Sequence, residues 1–226
     1  MPKFLLIESS GNVCSTAVAV GGKIVAEKSI EEPNSHSTYL ASFIEEVLQQ
    51  SGLKTADLDA VVVAGGPGSY TGLRIGCSLA KGLCFGASVP LISCSSLLAL
   101  AVAAFQKDAS LQRVISLIDA RRMDAYMGVF DRELNAIEEE RFVTIDEQLF
   151  ATYTSGGNGA SGSGVAKWLE SYPQKHVASS EIVDVYAANL LPEATKKWEQ
   201  KAFEDVAYFE PNYIKSVFLT KPKPKF

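Results

Sequence analysis

The stretch that decides the fold reads Gly65-Gly66-Pro67-Gly68-Ser69-Tyr70-Thr71-Gly72-Leu73-Arg74-Ile75-Gly76. It follows a purely apolar run, residues 60–64, which predicts a buried strand. It leads into residues 73–86, where only Arg74 and Lys81 carry charge. The pattern therefore predicts a strand, a glycine-rich turn and a helix. Such a turn brings backbone N–H groups and a helix N-terminus to one point, which suits an anion.

The common phosphate-binding motifs do not fit these glycines. A P-loop needs Gly-Lys five residues after its first glycine, but Tyr70, Thr71 and Leu73 stand at the corresponding positions. The dinucleotide fingerprint fails because Thr71 replaces its third glycine. Two interpretations remain open. The turn is a phosphate cradle, or the glycines only let strand and helix approach closely, with Thr71 as the N-cap.

The chain also repeats a pattern. Residues 4–30 and residues 114–142 each read as an apolar strand that ends in an acid, Glu8 or Asp119, followed by a turn and an antiparallel hairpin. The two copies align without a gap at an offset of 111 residues. This predicts an α/β protein with two lobes, residues 1–103 and 104–210, each with a mixed sheet that begins with three antiparallel strands.

Helix and loop signals fill the remainder. We predict helices over residues 37–51, 72–86 and 97–105, the last capped by Ser95-Ser96. Residues 155–164 are rich in glycine and read as a loop. A helical pattern begins at Ser180, is interrupted by Pro192, and resumes to about residue 201.

Residues 66–76 closely resemble the G-P-G-[ST]-[FY]-T-G-[LI]-R-[IV]-G element of the TsaB (YeaZ) family. Residues 119–124 are similar to its D-A-R-[MR]-x-[ED], residues 157–160 to its G-[DN]-G-A, and residues 211–215 to its P-x-Y-[LIV]-[RK]. The resemblance implies two ribonuclease-H-like lobes, the duplicated fold of the actin-like, sugar-kinase and heat-shock ATPase superfamily. It also implies that the first lobe carries dimerisation and partner binding and is joined by residues 211–226.

That family is the non-catalytic partner of the TsaD transferase, which makes threonylcarbamoyladenosine beside the tRNA anticodon. The resemblance implies a homodimer, a TsaD-type transferase and a TsaE-type ATPase as partners, and tRNA reached through the complex. It implies no catalytic residue and no metal. Two alternatives are an ATP-binding, kinase-like enzyme of the same superfamily and a glycoprotease-like hydrolase.

A vestigial nucleotide or phosphate site is the first candidate site. In ATP-using members of the superfamily an aspartate ends the first strand and holds hydrated magnesium, and here the acid is Glu8. Weak nucleotide binding stays open, since the next turn can still donate N–H bonds. Otherwise Glu8 is a relic facing the interlobe cleft. The candidate residues are Glu8, Ser9, Ser10, Gly11, Gly157 and Gly159.

The charged run Asp119-Ala120-Arg121-Arg122-Met123-Asp124 is a second candidate. It either makes local ion pairs across a hairpin or presents Arg121, a planar bidentate donor, to the cleft or to a partner.

The helix at 72–86 is apolar around nearly its whole circumference, whereas a surface helix is polar on one side. Either the monomer buries it completely, or a partner covers its outer face. In the second case we predict that the helices at 37–51 and 72–86 pair with the same helices of another subunit. The interface residues are Tyr39, Leu40, Phe43, Val47, Tyr70, Thr71, Leu73, Arg74, Ile75, Leu79 and Leu83.

Composition bounds these functions. The chain has 226 residues, 47% of them hydrophobic, and a formal net charge of −5, so no basic excess argues for gripping tRNA alone. Only a short apolar run precedes Glu8, and the runs near residues 90–105 fall short of the ~20 residues of a membrane span, so we expect a cytoplasmic protein. Cys14, Cys77, Cys84 and Cys94 are read as small buried hydrophobes. The two histidines, His36 and His176, are too far apart for a metal site on one helix.

Overall fold

The structure, a computed structural model, describes residues 1–32, 35–153, 158–173, 179–181 and 184–214. Its strands are β1 Lys3–Glu8, β2 Val13–Val20, β3 Lys23–Glu31, β4 Ala60–Gly66, β5 Leu91–Ser95, β6 Arg113–Asp119, β7 Asp124–Asp131, β8 Ala136–Thr144, β9 Asn158–Ser161 and β10 Ser179–Glu181. Its α-helices are α1 Ser35–Ser51, α2 Tyr70–Ala87, α3 Ser96–Lys107, α4 Glu147–Tyr153, α5 Gly164–Ser171 and α6 Leu191–Glu199. Short 3-10 helices span Thr55–Asp57 and Ala187–Leu190.

The described strands form two five-stranded sheets with the same topology. The first has the order β3-β2-β1-β4-β5, and the second has the order β8-β7-β6-β9-β10. In each sheet three antiparallel strands open the chain path, and two parallel strands continue it on the other side of the first. This confirms the α/β fold with two ribonuclease-H-like lobes.

The two copies differ by one residue in the first turn. Glu8 pairs with Ser15, seven positions later, whereas Asp119 pairs with Ala125, six positions later. The ungapped alignment was therefore wrong at this turn, although β1 and β6 occupy the same place in their sheets.

Helix α3 lies between the sheets and gives the molecule its layers. On one face of the first sheet lie α1 and α2, and on the other lie Ala187–Leu190, α6 and Ala99 of α3. Leu97, Ala101 and Phe105 of α3 pack with Val114 and Phe130 of the second sheet. The opposite face of the second sheet is covered by α4 and α5. One helix thus contributes to the cores of both lobes.

The late part of the chain departs from the sequence-based prediction. Residues 158–161 form β9 rather than loop, and Ser179–Glu181 form a strand rather than the start of a helix. Pro192 lies in the first turn of α6, where its missing N–H costs no helical bond, so it does not interrupt a helix. The limits of the lobes stay a prediction, but Ala187–Leu190 and α6, which they assign to the second lobe, pack on the first sheet.

Candidate functional site

Glycines of the stretch 65–76 let the start of α2 pack closely against the first turn of the chain, at Ser9 and Ser10. A Cβ added at Gly68 would lie 2.4 Å from the Ser10 carbonyl oxygen, and one at Gly72 would lie 2.1 Å from the Ser9 carbonyl oxygen. At Gly76 it would lie 2.1 Å from Ser9 Oγ. Real Cβ atoms do not come this close. Gly68 and Gly72 meet backbone oxygens and therefore require glycine, whereas a Cβ at Gly76 would displace the Ser9 hydroxyl. Gly72 and Gly76 are four residues apart and share one face of α2, and Gly68 lies just before the N-cap of the helix. The glycines therefore let α2 approach the turn after β1 closely, as one of the two interpretations predicted, and the phosphate cradle stays a prediction.

Hydrogen bonds fix the same contact. Ser69 N donates to Ser10 O at 2.8 Å, and Ser9 Oγ donates to Gly72 O at 2.9 Å. The N-cap of α2 is Ser69, whose side chain accepts from Gly72 N, so the prediction of Thr71 as the cap was wrong. Because Ser9 Oγ is engaged by the helix, it is not offered to a phosphate.

Glu8 is fully buried at the end of β1, with 0% of its surface exposed. Ser10 N donates to Glu8 Oε1 at 2.5 Å, and Oε2 has no hydrogen-bond partner among the described residues. Burial raises the pKa of Glu8 to about 7, against hydrogen bonds from Ser10 and Ser9 that lower it. The expectation that Glu8 faces the interlobe cleft is therefore wrong, because the acid lies beneath the first turn.

The interlobe cleft has a volume of about 820 Å³ and is lined by both lobes. Its lining is Ser10, Gly11, Asn12, Gly68, Ser69, Tyr70, Thr71, Leu100, Ile118, Asp119, Ala120, Arg121, Tyr126, Ser163, Asp184, Val185 and Tyr213. Of the candidate phosphate-site residues, Ser10 and Gly11 line it. Gly159 packs in β9 against Leu111, where a Cβ would lie 2.8 Å from Leu111 Cδ1. Gly157 lies outside the described residues.

The charged turn at the start of β7 faces this cleft. Asp119 forms an ion pair with Lys167 of α5, and its N–H donates to Ser163 Oγ at 3.0 Å. The ion pair therefore joins the turn to α5 and does not cross the hairpin. Arg121 and Arg122 both have positive φ, 71° and 52°, which is rare for residues other than glycine. Arg121 lines the cleft, as one of the two interpretations of this run predicted.

A second concave surface, of about 650 Å³, lies between α1 and α2, and we call it the groove. It is lined by His36, Ser37, Leu40, Ala41, Tyr70, Thr71, Arg74, Ile75, Ser78 and Leu79. Helix α2 buries only one face, through residues such as Leu73, Ala80 and Cys84. Its other face is open, and Phe85 is 84% exposed. Complete burial of this helix within the monomer, one of the two interpretations of its apolar pattern, is therefore wrong.

The predicted interface residues divide by burial. Phe43, Val47 and Leu73 are inside the core of the first lobe, and this corrects their prediction as contacts with a partner. Leu40 is almost fully buried at the floor of the groove. The remaining predicted residues keep exposed or half-buried surface: Tyr39, Tyr70, Thr71, Arg74, Ile75, Leu79 and Leu83.

Burial shifts the pKa values of the cysteines and of His36. All four cysteines are free and buried, as the sequence indicated, and burial raises the pKa of Cys77 to about 12. His36 Nε2 lies 3.3 Å from Val13 O, and burial lowers the pKa of His36.

In the described part of the chain, no three His, Cys, Asp or Glu side chains are placed to hold a metal ion. No described helix has the length and apolarity to cross a bilayer.

The structure extends the segment that the resemblance joined to the first lobe, because residues 203–210 lead into residues 211–214 along that lobe. Residues 203–214, which we call the strap, run from the edge of the first sheet across α2 to the cleft. Glu204 N donates to Leu91 O at 2.9 Å, and Asn212 N donates to Gly65 O at 2.7 Å. The strap thereby brings Tyr213 onto Tyr70, with ring centroids 5.3 Å apart. In the sequence, the Pro-x-Tyr motif and the expectation that residues 211–226 join the first lobe indicated only its last part.

A family model and two curated relatives match this chain over most of its length. A family model described as "TsaD: tRNA N6-adenosine threonylcarbamoyltransferase" matches residues 23–223. The "tRNA threonylcarbamoyladenosine biosynthesis protein TsaB" of Escherichia coli (strain K12) is 28% identical, covering 98% of each chain. The protein of that name from Haemophilus influenzae is 29% identical over 97% of this chain and 96% of its own.

Solved structures give the same result for the fold. YeaZ from Pseudomonas aeruginosa aligns with a TM-score of 0.83 at 23% identity, covering 94% of this chain and all of that one. The match to the TsaD family model spans most of the sequence, so the chain belongs to the class of proteins that this model describes. Within the class, it belongs to the TsaB (YeaZ) family.

Proposed function

We propose that this chain is a non-catalytic subunit in the biosynthesis of threonylcarbamoyladenosine in tRNA. It acts with a TsaD-type transferase and a TsaE-type ATPase, and it reaches tRNA through the complex. Its cellular place is the cytoplasm. Membership of the TsaB family and the names of its relatives support the pathway.

The state of the two strand-end acids supports a non-catalytic role. Glu8 is buried beneath the first turn and carries a raised pKa, so it does not present a carboxylate to magnesium in the cleft. Asp119, its counterpart in the second lobe, is paired with Lys167. A kinase of this superfamily needs an acid free to hold hydrated metal beside the phosphates, so this arrangement argues against the kinase-like alternative.

The observation that carries the partner-binding role is the open apolar face of α2. Leu79 and Ile75 are half-buried along the groove, and Ser78 between them is exposed. Glycine and serine at Gly82 and Ser78 leave room for another helix to approach. The face suits a helical surface of a second protein, either a copy of this chain or the transferase. A contact of standard size buries about 1,600 Å² in total.

The groove proposal is tested by a charge on its exposed rim. Ser78→Glu adds a carboxylate without touching the core, and we expect it to abolish both self-association and binding of the transferase, since an unpaired buried charge is costly. Sedimentation and pull-down measure association. Ile137→Glu, at a half-exposed apolar site of the second lobe, is the matched control. Leu79→Glu is a second variant, read only if its thermal melt is unchanged. Normal association of Ser78→Glu with both proteins would rule out this surface.

The pathway is tested by reconstitution. The transferase and ATPase of the same genome, with tRNA, ATP and an activated threonylcarbamoyl donor, are expected to form threonylcarbamoyladenosine only when this chain is added. The isolated chain is expected to transfer nothing and to cleave no peptide. Turnover by the rigorously purified chain alone would contradict the non-catalytic role, and full activity without the chain would contradict its requirement. Tight ATP–magnesium binding by the chain would favour the kinase-like alternative.

A further inference from the structure

Tyr70 is the wall between the groove and the cleft. Among the residues that line these two cavities, only Tyr70 and Thr71 line both. Both residues lie in the first turn of α2, directly after the glycine-rich turn. Tyr70 is 46% exposed.

The Tyr70 side chain is held from both sides. From the groove, Arg74 donates from Nη1 to the Tyr70 hydroxyl at 2.6 Å, and its guanidinium carbon lies 5.3 Å from the centre of the ring. From the cleft, the ring of Tyr213 packs on Tyr70 at an interplanar angle of 38°. Tyr70 is therefore in contact with Arg74 on the groove side and with Tyr213 on the cleft side.

Tyr213 connects this contact to both lobes. One residue before it, Asn212 is bonded to Gly65 at the end of β4, and Phe209 packs into the core of the first lobe. Lys81 of α2 donates to Phe209 O at 2.9 Å. One residue after Tyr213, Ile214 packs with the cluster that α3 forms on the second sheet. The end of the strap thus touches the first lobe, the second lobe and the wall of the groove.

We propose that the strap couples the groove to the cleft: a transferase subunit seated in the groove tightens the Arg74–Tyr70–Tyr213 contact and so fixes the strap across both lobes. The inference rests on the proposed function of the groove. Its physical reason is the removal of water, because a hydrogen bond and a ring contact strengthen when a partner excludes solvent from them. Coupling of this kind is reciprocal, so loss of the Tyr213 ring must weaken transferase binding by the same factor.

Affinity measurements test the reciprocal prediction, which is that loss of the Tyr213 ring weakens binding of the transferase. Tyr213→Ala is expected to weaken binding of the TsaD-type transferase at least about 5-fold, the lower end of usual coupling between sites. Tyr213→Phe keeps the ring and is expected to bind like the unmodified chain. Tyr208→Ala is the matched control, because Tyr208 lies on the same strap but is 84% exposed. Affinities of Tyr213→Ala and Tyr208→Ala within 2-fold of each other would overturn the inference.

Hydrogen exchange in the unmodified chain tests the direct prediction, which is that a bound transferase fixes the strap. This measurement needs no variant. Amides of residues 212–214 are expected to exchange more slowly in the complex with the transferase than in the free chain, with no comparable change in β10 of the second lobe. Unchanged exchange in a complex that forms would overturn the coupling and leave the proposed function standing. Failure of the unmodified chain to bind the transferase would overturn both. Persistence of the effect in Tyr213→Ala would show that the ring is not the link, and it would overturn the inference as well.

Discussion

Replacing Glu8 by glutamine removes an ionisable group from the interior of the first lobe while keeping its shape. Glutamine resembles the protonated acid, since its Oε1 can still accept from Ser10 N. Its second polar atom takes the place of Oε2, which already lacks a partner among the described residues. The variant therefore differs from the unmodified chain mainly in its inability to ionise.

The expected effect follows from the shift of the pKa. Burial raises the pKa of Glu8 from 4.5 to about 7. Between these values the unfolded chain has lost the proton that the folded chain still holds. The free energy of unfolding therefore falls as pH rises through this window, and it is constant, as far as Glu8 is concerned, below and above it. At 1.36 kcal/mol for each pKa unit, the total is about 3 kcal/mol.

Urea unfolding of both proteins at a series of pH values between 4 and 8 measures this difference. We expect the two free energies of unfolding to run parallel below pH 4.5 and to diverge as pH rises. Between pH 4.5 and pH 7 their difference is expected to change by about 3 kcal/mol in favour of Glu8→Gln. Taking the difference cancels every other group that titrates in the same range. A constant difference across the whole range would refute the assignment of Glu8 as a buried acid with a raised pKa.

Two further predictions concern the packing of α2 and α3. Gly72→Ala is expected to destabilise the chain by about 1–3 kcal/mol because its Cβ overlaps the Ser9 carbonyl oxygen, whereas Gly82→Ala, with nothing within 4 Å, gains about 0.5–1 kcal/mol from helix propensity. Thermal and urea unfolding compare the two variants, and equal effects on stability would contradict the close packing of Gly72 against Ser9. Ser95→Ala is expected to cost about 1–2 kcal/mol, since Ser95 caps α3 and also donates to Glu140 of the second lobe. An unchanged urea midpoint would contradict that role.

The sequence predicted those parts of the fold that depend on local pattern. The apolar run of β4, the hairpins after Glu8 and Asp119, and the Ser95 cap of α3 are all encoded within a few residues. The duplication was visible because the same local patterns recur at a fixed offset. The exposed face of α2 could be inferred only as one of two alternatives, since an apolar pattern does not say which molecule covers it.

The features that the sequence could not predict depend on contacts between distant positions. Gly72 requires glycine because of Ser9, which is 63 residues earlier in the chain. Strands β9 and β10 have only four and three residues, and they owe their state to pairing with β6 and with each other rather than to propensity. The strap carries no regular secondary structure and is recognised only by what it touches.

These contacts also explain why one short stretch determines both the core and the proposed binding surface. The glycine face of α2 fixes the helix against the Ser9–Ser10 turn, and a shift of that face by one side chain would displace the whole helix. The opposite face carries the groove, so the position of the groove relative to α1 depends on the same close packing. Tyr70 lies in the first turn of the helix, lines the groove and is in contact with the strap. A substitution at Gly68 or Gly72 is therefore expected to reduce partner binding even though neither residue lines the groove.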